Sequence, residues 1–277
     1  MKYSFNSFPF ASCLSWLPVY TVEETIARLA DAGYDAVELG CAAPHAWPEY
    51  MTPQKLGAIR RCFEKRDVKC SSVLIPSGGG PGLNSASFDP QERAAAIRLN
   101  KQVLDIGYEL GAPILLYVGG WYGYGMPRAE AWKLTVEALN EIADYAAERD
   151  ITVCIEPTAD EANLIECAED ALALIQDSGR GNVAARFDVE HVLYRMEDPR
   201  DYVLGLGGLL KHLHVTDAGR VPPGDGVYDF APMMQALKDI GYAGYVTVET
   251  GFGRKYRPAD VAARSLAYLK SVEAKLQ

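Results

Sequence analysis

The sequence ITVCIEP, residues 151–157, alternates apolar and polar side chains and reaches a carboxylate at Glu156. Successive side chains of a strand point to opposite faces, so Val153 and Ile155 share one face while Cys154 and Glu156 share the other. Three later runs end in a potential metal ligand in the same way: VAARFDVEH (183–191) with Asp188, LLKHLHVTD (209–217) with His214, and YVTVET (245–250) with Glu249. We therefore predict four strands that pack one face under helices and carry functional groups on the other.

The remainder of the chain alternates strand-like and helix-like segments. Amphipathic helical periods cover residues 21–33, 90–112, 128–150 and 258–276, and the first opens with the capping-box spacing of Thr21 and Glu24. Strands are predicted at 3–7, 35–40, 68–75, 113–119, 152–157, 183–189, 210–216 and 245–250. Eight such units without a linker predict an α/β fold, a single (β/α)8 TIM barrel that forms one domain over residues 1–277. A doubly wound open sheet is the alternative.

The four candidate ligands lie at the carboxyl ends of predicted strands five to eight, where TIM barrels build their active sites. An acidic residue just after a strand also serves as a helix N-cap, and a single one would favour that interpretation. Four consecutive strands favour a metal site. Three carboxylates and one imidazole indicate one divalent cation, Mn²⁺ or Mg²⁺ first, with Co²⁺ or Zn²⁺ as alternatives.

Charge and composition exclude several classes of protein. The net charge is −10 and the basic residues are scattered, which argues against nucleic-acid and anionic-membrane partners. No apolar stretch approaches the roughly 20 residues of a membrane span, and MKYSFNSFPF is interpreted as a first strand rather than a signal peptide. The six cysteines show no C-x-x-C pair and are expected to be reduced. We expect a cytoplasmic protein.

For other side chains in the barrel and its loops, the sequence suggests a structural role or allows more than one interpretation. Glu38 and Arg186 both point inward, and we expect them to form an ion pair because an unpaired buried charge is costly. His212 is interpreted as a core histidine or as the partner of a carboxylate. The sequence leaves open whether the loop residues Trp16, Trp47 and Trp121 line a pocket or pack against the barrel, and it assigns no role to His45.

Six motifs resemble the xylose-isomerase-like barrel superfamily, in particular its sugar isomerase and epimerase branch. They are AGYDAVELG (32–40), IEP (155–157), FDVEH (187–191), HLHVTDAGR (212–220), PGDGVYDF (223–230) and GYVTVET (244–250). Together they span almost the whole chain, and the combination of H-x-H with the glycine-rich turn is fairly specific. The chain is similar to the ketose 3-epimerases, such as those that act on D-tagatose and fructoselysine.

The resemblance implies roles for particular residues. It places metal ligands at Glu156, Asp188, His214 and Glu249, and substrate-binding residues at His191 and Arg220. His191 as a helix-capping histidine and Arg220 as a solvated loop residue are the alternatives. A second family glutamate has no exact counterpart, because Glu161 lies one position short of it.

The implied activity is C3 epimerisation of a ketose or keto-sugar through a metal-stabilised cis-enediolate, with Glu156 and Glu249 as acid and base. The small-molecule partner would be a sugar, with a homodimer and a homotetramer as the alternatives for assembly. A lyase or dehydratase of the same superfamily, such as an inosose or dehydroshikimate dehydratase or a C-glycoside-cleaving lyase, uses the same enolate chemistry and is the alternative function. The superfamily's three-zinc endonuclease branch needs more imidazoles than four histidines supply.

Overall fold

Eight strands form the centre of the molecule. The computed structural model describes residues 1–11, 20–76, 82–123, 125–251 and 257–277. The strands are β1 (Lys2–Asn6), β2 (Ala36–Gly40), β3 (Lys69–Leu74), β4 (Ile114–Val118), β5 (Thr152–Glu156), β6 (Val183–Asp188), β7 (Leu210–Val215) and β8 (Tyr245–Val248). Each pairs in parallel with its neighbour in sequence, and β8 pairs with β1. The closed barrel confirms the predicted (β/α)8 fold.

Helices follow the strands and surround the barrel. Within the described residues they are α1 (Val22–Ala32), α2 (Pro53–Arg66), α3 (Pro90–Leu110), α4 (Arg128–Ala147), α5 (Ala168–Ser178), α6 (Val189–Tyr194), α7 (Pro199–Leu206), α8 (Ala231–Asp239) and α9 (Pro258–Glu273). The predicted capping box is present, since the Thr21 hydroxyl accepts from the Glu24 amide and the Glu24 carboxylate accepts from the Thr21 amide. None of the helices described here is long and apolar enough to cross a membrane.

Alternation along the strands separates the outer packing layer from the barrel interior. Val153 and Ile155 belong to the main hydrophobic core between the strands and the helices. Cys154 packs instead in a smaller buried group with Ile114 and Ala184. The predicted two faces of β5 are therefore confirmed, and the same alternation carries Glu156 to the inward face at the strand's carboxyl end.

The barrel interior also holds charged groups, and their predicted pairing is wrong. Arg186 does not contact Glu38; its guanidinium donates to Glu156 Oε1 at 2.6 Å. Glu38 instead contacts His212 and His214 of β7. The reason is strand order: β5 and β6 are neighbours in the barrel, so the Glu156 carboxylate lies one strand away from Arg186.

One loop residue whose role the sequence left open lies outside the described residues. It is Trp16, in the segment 12–19. The second half of the barrel, by contrast, is described almost completely, and it carries every predicted ligand at one rim.

Candidate metal-binding active site

All four predicted ligands stand at the carboxyl ends of consecutive strands. Glu156 and Asp188 are the last residues of β5 and β6, His214 is the penultimate residue of β7, and Glu249 follows β8 directly. Because the strands are parallel and closed into a barrel, these ends meet at one rim. The position predicted from the alternation pattern is thus the position that the side chains occupy.

Three of the four side chains form one tight group. One ligand atom each from Asp188, His214 and Glu249 lies within 4.8 Å of the others. His214 Nδ1 is 2.9 Å from Glu249 Oε2 and 3.9 Å from Asp188 Oδ2. Asp188 and His214 are fully buried, and the side chain of Glu249 is 16% exposed. One imidazole nitrogen and two carboxylate oxygens therefore converge on one small space.

Glu156 joins this group through Asp188. It belongs to a second group, with Asp188 and His191, whose ligand atoms also lie within 4.8 Å of one another. Across the described ranges, no group contains all four predicted ligands together. Glu156 Oε1 is occupied by the Arg186 guanidinium, which leaves its second oxygen for another partner.

The guanidinium of Arg220 provides a test of whether these oxygens suit a cation. It donates to the Asp188 carboxylate and, at 2.8 Å, to Glu249 Oε2. It also reaches Glu161 Oε1 at 3.4 Å. A positive charge thus already sits against the carboxylates of this rim, and the hard oxygen donors with one imidazole fit a divalent ion.

Asp188 serves two purposes with its two oxygens. Its Oδ1 accepts the Glu190 amide at 2.9 Å and caps the N-terminus of α6. Its Oδ2 faces Arg220 and His214. The helix-cap interpretation and the ligand interpretation therefore apply to different atoms of one carboxylate.

His191 and Arg220, the predicted substrate-binding pair, lie side by side next to the ligand group. His191 is buried within α6, its Nδ1 contacts the Asp160 carboxylate, and its Nε2 is 3.4 Å from the Arg220 guanidinium. Burial opposes protonation of His191, but Asp160, Asp188 and Glu156 raise its pKa. The alternative of a helix-capping histidine does not fit, because Asp188 caps α6.

The two predicted acid–base glutamates have oppositely shifted pKa values. Burial raises the pKa of Glu156, and the Arg186 charge only partly offsets this. Burial acts in the same direction on Glu249, but the His214 imidazole and the Arg220 guanidinium hold its pKa well below the ordinary value. The two carboxyl groups therefore lie in different electrostatic environments.

Asn6 was not predicted as a site residue, and Glu38 was predicted with the wrong partner. The Asn6 side-chain nitrogen donates to Glu38 Oε1 at 2.8 Å and to Glu249 Oε1 at 2.7 Å. Asn6 ends β1 and pairs in register with Glu38, the middle residue of β2, and its side chain reaches the rim that carries the predicted ligands. Asn6 also stands at the carboxyl end of a strand. It would have been predicted if side-chain amides had been considered there as well as carboxylates and imidazoles.

The structure gives the surroundings of His45 and Trp121, two loop residues whose roles the sequence left open. His45 is buried with Nδ1 at 3.0 Å from the Tyr20 carbonyl, and burial lowers its pKa to about 4, which indicates a structural role. The backbone of Trp121 pairs with the Asn84 side chain, which anchors its loop.

Comparison with known proteins identifies relatives of this architecture. The family model described as Xylose isomerase-like TIM barrel matches residues 26–272. D-psicose 3-epimerase of Agrobacterium fabrum is 29% identical over 81% of this chain and 77% of its own length. Fructoselysine 3-epimerase of Escherichia coli O157:H7 is 25% identical over 82% and 85%. The crystal structure of D-psicose 3-epimerase with D-tagatose from Clostridium cellulolyticum H10 superposes with a TM-score of 0.84 at 21% identity, covering 100% of both chains.

Proposed function

The chain belongs to the xylose isomerase-like TIM barrel family, and we propose that it is a divalent-metal-dependent epimerase that inverts C3 of a ketose or keto-sugar derivative. The observation that carries the proposal is the convergence of Asp188, His214 and Glu249, joined through Asp188 to Glu156. The names of the relatives support it, since D-psicose 3-epimerase and fructoselysine 3-epimerase both act at this carbon.

The proposed ligands of the cation are Glu156, Asp188, His214 and Glu249. When bound, the cation supplies Lewis-acid polarisation of the ketose carbonyl and stabilises negative charge that develops on the adjacent oxygens. Mn²⁺ or Mg²⁺ is the proposed ion because three of the four donors are carboxylates, with Co²⁺ and Zn²⁺ as alternatives.

The proposed proton transfers use the two glutamates in turn. In one direction Glu249 accepts the proton of C3, and Glu156 delivers a proton to the opposite face of that carbon. The reverse reaction exchanges the roles. Inversion follows because the proton leaves one face and returns to the other, so no atom is gained or lost by the sugar.

The proposed sugar contacts are His191 and Arg220, which adjoin the ligand group. His191 is held by Asp160 and presents Nε2 toward Arg220, so two hydrogen-bonding groups face the same space. They would orient the hydroxyl groups next to the reacting carbon, which keeps C3 within reach of the glutamates.

We also propose a cytoplasmic enzyme, because the cysteines that the structure describes are all free, as expected in a reducing compartment. A homodimer or a homotetramer is the proposed assembly, and light scattering distinguishes the two.

The experiment that tests the proposed function is proton exchange in D2O. The protein with Mn²⁺ is incubated with a panel of ketoses, keto acids and keto-glycosides, and NMR follows each substrate. We expect deuterium at C3 together with the C3 epimer. Loss of water or of an aglycone without an epimer would instead establish the lyase alternative, and exchange with transfer of the carbonyl group would establish an isomerase.

A further inference from the structure

Glu38 lies on β2, whereas the proposed ligands lie at the ends of β5 to β8. Its carboxylate is fully buried and faces four donor groups. Its Oε1 lies 2.8 Å from Asn6 Nδ2 and 2.5 Å from His214 Nε2. Its Oε2 lies 2.6 Å from Ser72 Oγ and 2.8 Å from His212 Nε2. Asn6, Ser72 and His214 thus form hydrogen bonds with this carboxylate, and the His212 ring lies in contact with it.

Both ring nitrogens of His214 face carboxylate oxygens: Nε2 lies 2.5 Å from Glu38 Oε1, and Nδ1 lies 2.9 Å from Glu249 Oε2. An ionised carboxylate only accepts hydrogen bonds, so each nitrogen has an acceptor for an N–H. A cation that binds the ring takes the lone pair of one nitrogen, and the single N–H that remains is then on the other. Nδ1 is the nitrogen next to Asp188 and Glu249, so the N–H that remains is the one that faces Glu38.

We propose that Glu38 is a positioning residue, which holds His214 in the Nε2–H tautomer and aims Nδ1 at the cation. The proposal rests on the proposed function, since it takes His214 to be a ligand. Carboxylates behind metal-binding histidines orient the ring and increase its donor strength, and their loss typically weakens metal binding by about 10–100-fold. Here the carboxylate comes from the opposite half of the sequence.

Glu38 is also linked, through Asn6, to a second proposed ligand, Glu249. The Asn6 amide that donates to Glu38 Oε1 also donates to Glu249 Oε1. Glu249 Oε2 remains as the oxygen that faces His214 Nδ1. The first two strands thus orient ligands that stand on the last two.

Two variants separate positioning from structure. Glu38→Met keeps the length of the side chain but removes both acceptors. Glu38→Gln keeps one acceptor for His214, because the Ser72 hydroxyl can rotate and His212 can change tautomer to face the amide nitrogen. Tyr34→Phe is the matched control, since it removes a buried hydrogen bond to the Ala262 carbonyl outside the site.

The first measurement is the affinity of each folded variant for Mn²⁺ by titration calorimetry. We expect the Kd of Glu38→Met to rise by about 10–100-fold and that of Glu38→Gln by about threefold. Tyr34→Phe should lose stability in thermal unfolding and keep the wild-type Kd. An unchanged Kd in Glu38→Met would overturn the proposal.

The second measurement needs no variant and therefore survives a failure of Glu38→Met to fold. The chain has four histidines, so ¹⁵N-histidine spectra of the wild-type protein loaded with Mg²⁺ can be assigned residue by residue. We expect His214 with hydrogen on Nε2 and none on Nδ1; the opposite tautomer would overturn the proposal. A wild-type protein that binds neither ion would reject the proposed function itself, which is distinct from metal binding that does not depend on Glu38.

Discussion

Arg220 donates from its guanidinium to Glu249 Oε2 at 2.8 Å and so places a fixed positive charge among the carboxylates proposed to hold a cation. The same guanidinium contacts Asp188. Two like charges cannot share this space without cost, so we expect Arg220 to compete with a cation for these oxygens. Another nitrogen of the same guanidinium lies 3.4 Å from His191 Nε2, beside the proposed sugar contacts.

Replacement of Arg220 should therefore affect metal and sugar in opposite ways. We expect Arg220→Gln to bind Mn²⁺ about three- to tenfold more tightly without sugar, because the competing charge is gone. Its KM for the ketose should rise by at least about tenfold, because a substrate contact is lost. Titration calorimetry and steady-state kinetics measure the two effects. Arg180→Gln, which disrupts a surface pair with Asp144, is the control; weaker Mn²⁺ binding in Arg220→Gln would contradict the competition.

Replacement of either proposed acid–base residue should stop turnover. We expect Glu156→Gln and Glu249→Gln to lower kcat by about 10²–10⁴-fold at saturating Mn²⁺, because an amide cannot exchange a proton with carbon. Circular dichroism should show a folded barrel in both. Glu141→Gln, on the outer surface of α4, should keep full activity. Near-native turnover in either site variant would refute the two-carboxylate mechanism.

Removal of the metal should abolish activity reversibly. After exhaustive chelation with EDTA we expect no epimerisation, and added Mn²⁺ should restore it. Since the ion binds the folded chain, Mn²⁺ at 100 times its Kd should add about 2.7 kcal/mol to the free energy of unfolding. Denaturant titrations with and without the ion measure this difference. Full activity in the chelated protein would rule out the metal assignment.

The turn after β7 gives a prediction for stability. The buried Asp217 Oδ1 accepts the backbone amides of Ala218, Val227 and Tyr228, each at 3.0 Å. We expect Asp217→Ala to cost about 2–3 kcal/mol of unfolding free energy, because these amides lose their acceptor. Asp217→Asn keeps an acceptor oxygen and should lose less.

The matched control for this turn is Asp225→Ala, since Asp225 forms a partly exposed pair with Arg264. Exposed ion pairs contribute about 0–1 kcal/mol, so the loss should be small. Equal destabilisation by Asp217→Ala and Asp225→Ala, measured by urea unfolding, would show that Asp217 does not organise the turn.

Local pattern was enough to place the proposed ligands. The alternation of ITVCIEP put Glu156 on the inward face and at the strand end, and the later runs did the same for Asp188, His214 and Glu249. The start of α1 was also predictable, because Thr21 and Glu24 have the spacing of a capping box. These features depend on residues a few positions apart, so they are encoded within each segment.

The partners of the inward charges required the closed barrel. Arg186 pairs with Glu156 and Glu38 contacts His212 and His214, where the sequence predicted a pair between Glu38 and Arg186. Periodicity assigns a side chain to a face, but it does not say which strand that face meets.

The sequence by itself determined the fold class and the rim on which the candidate ligands stand, because strand period and strand order are local and sequential properties. Only the tertiary structure decided that Asn6 and Glu38 reach Glu249 and His214. Those contacts exist because β8 closes onto β1, which brings the two ends of the chain to one side of the barrel.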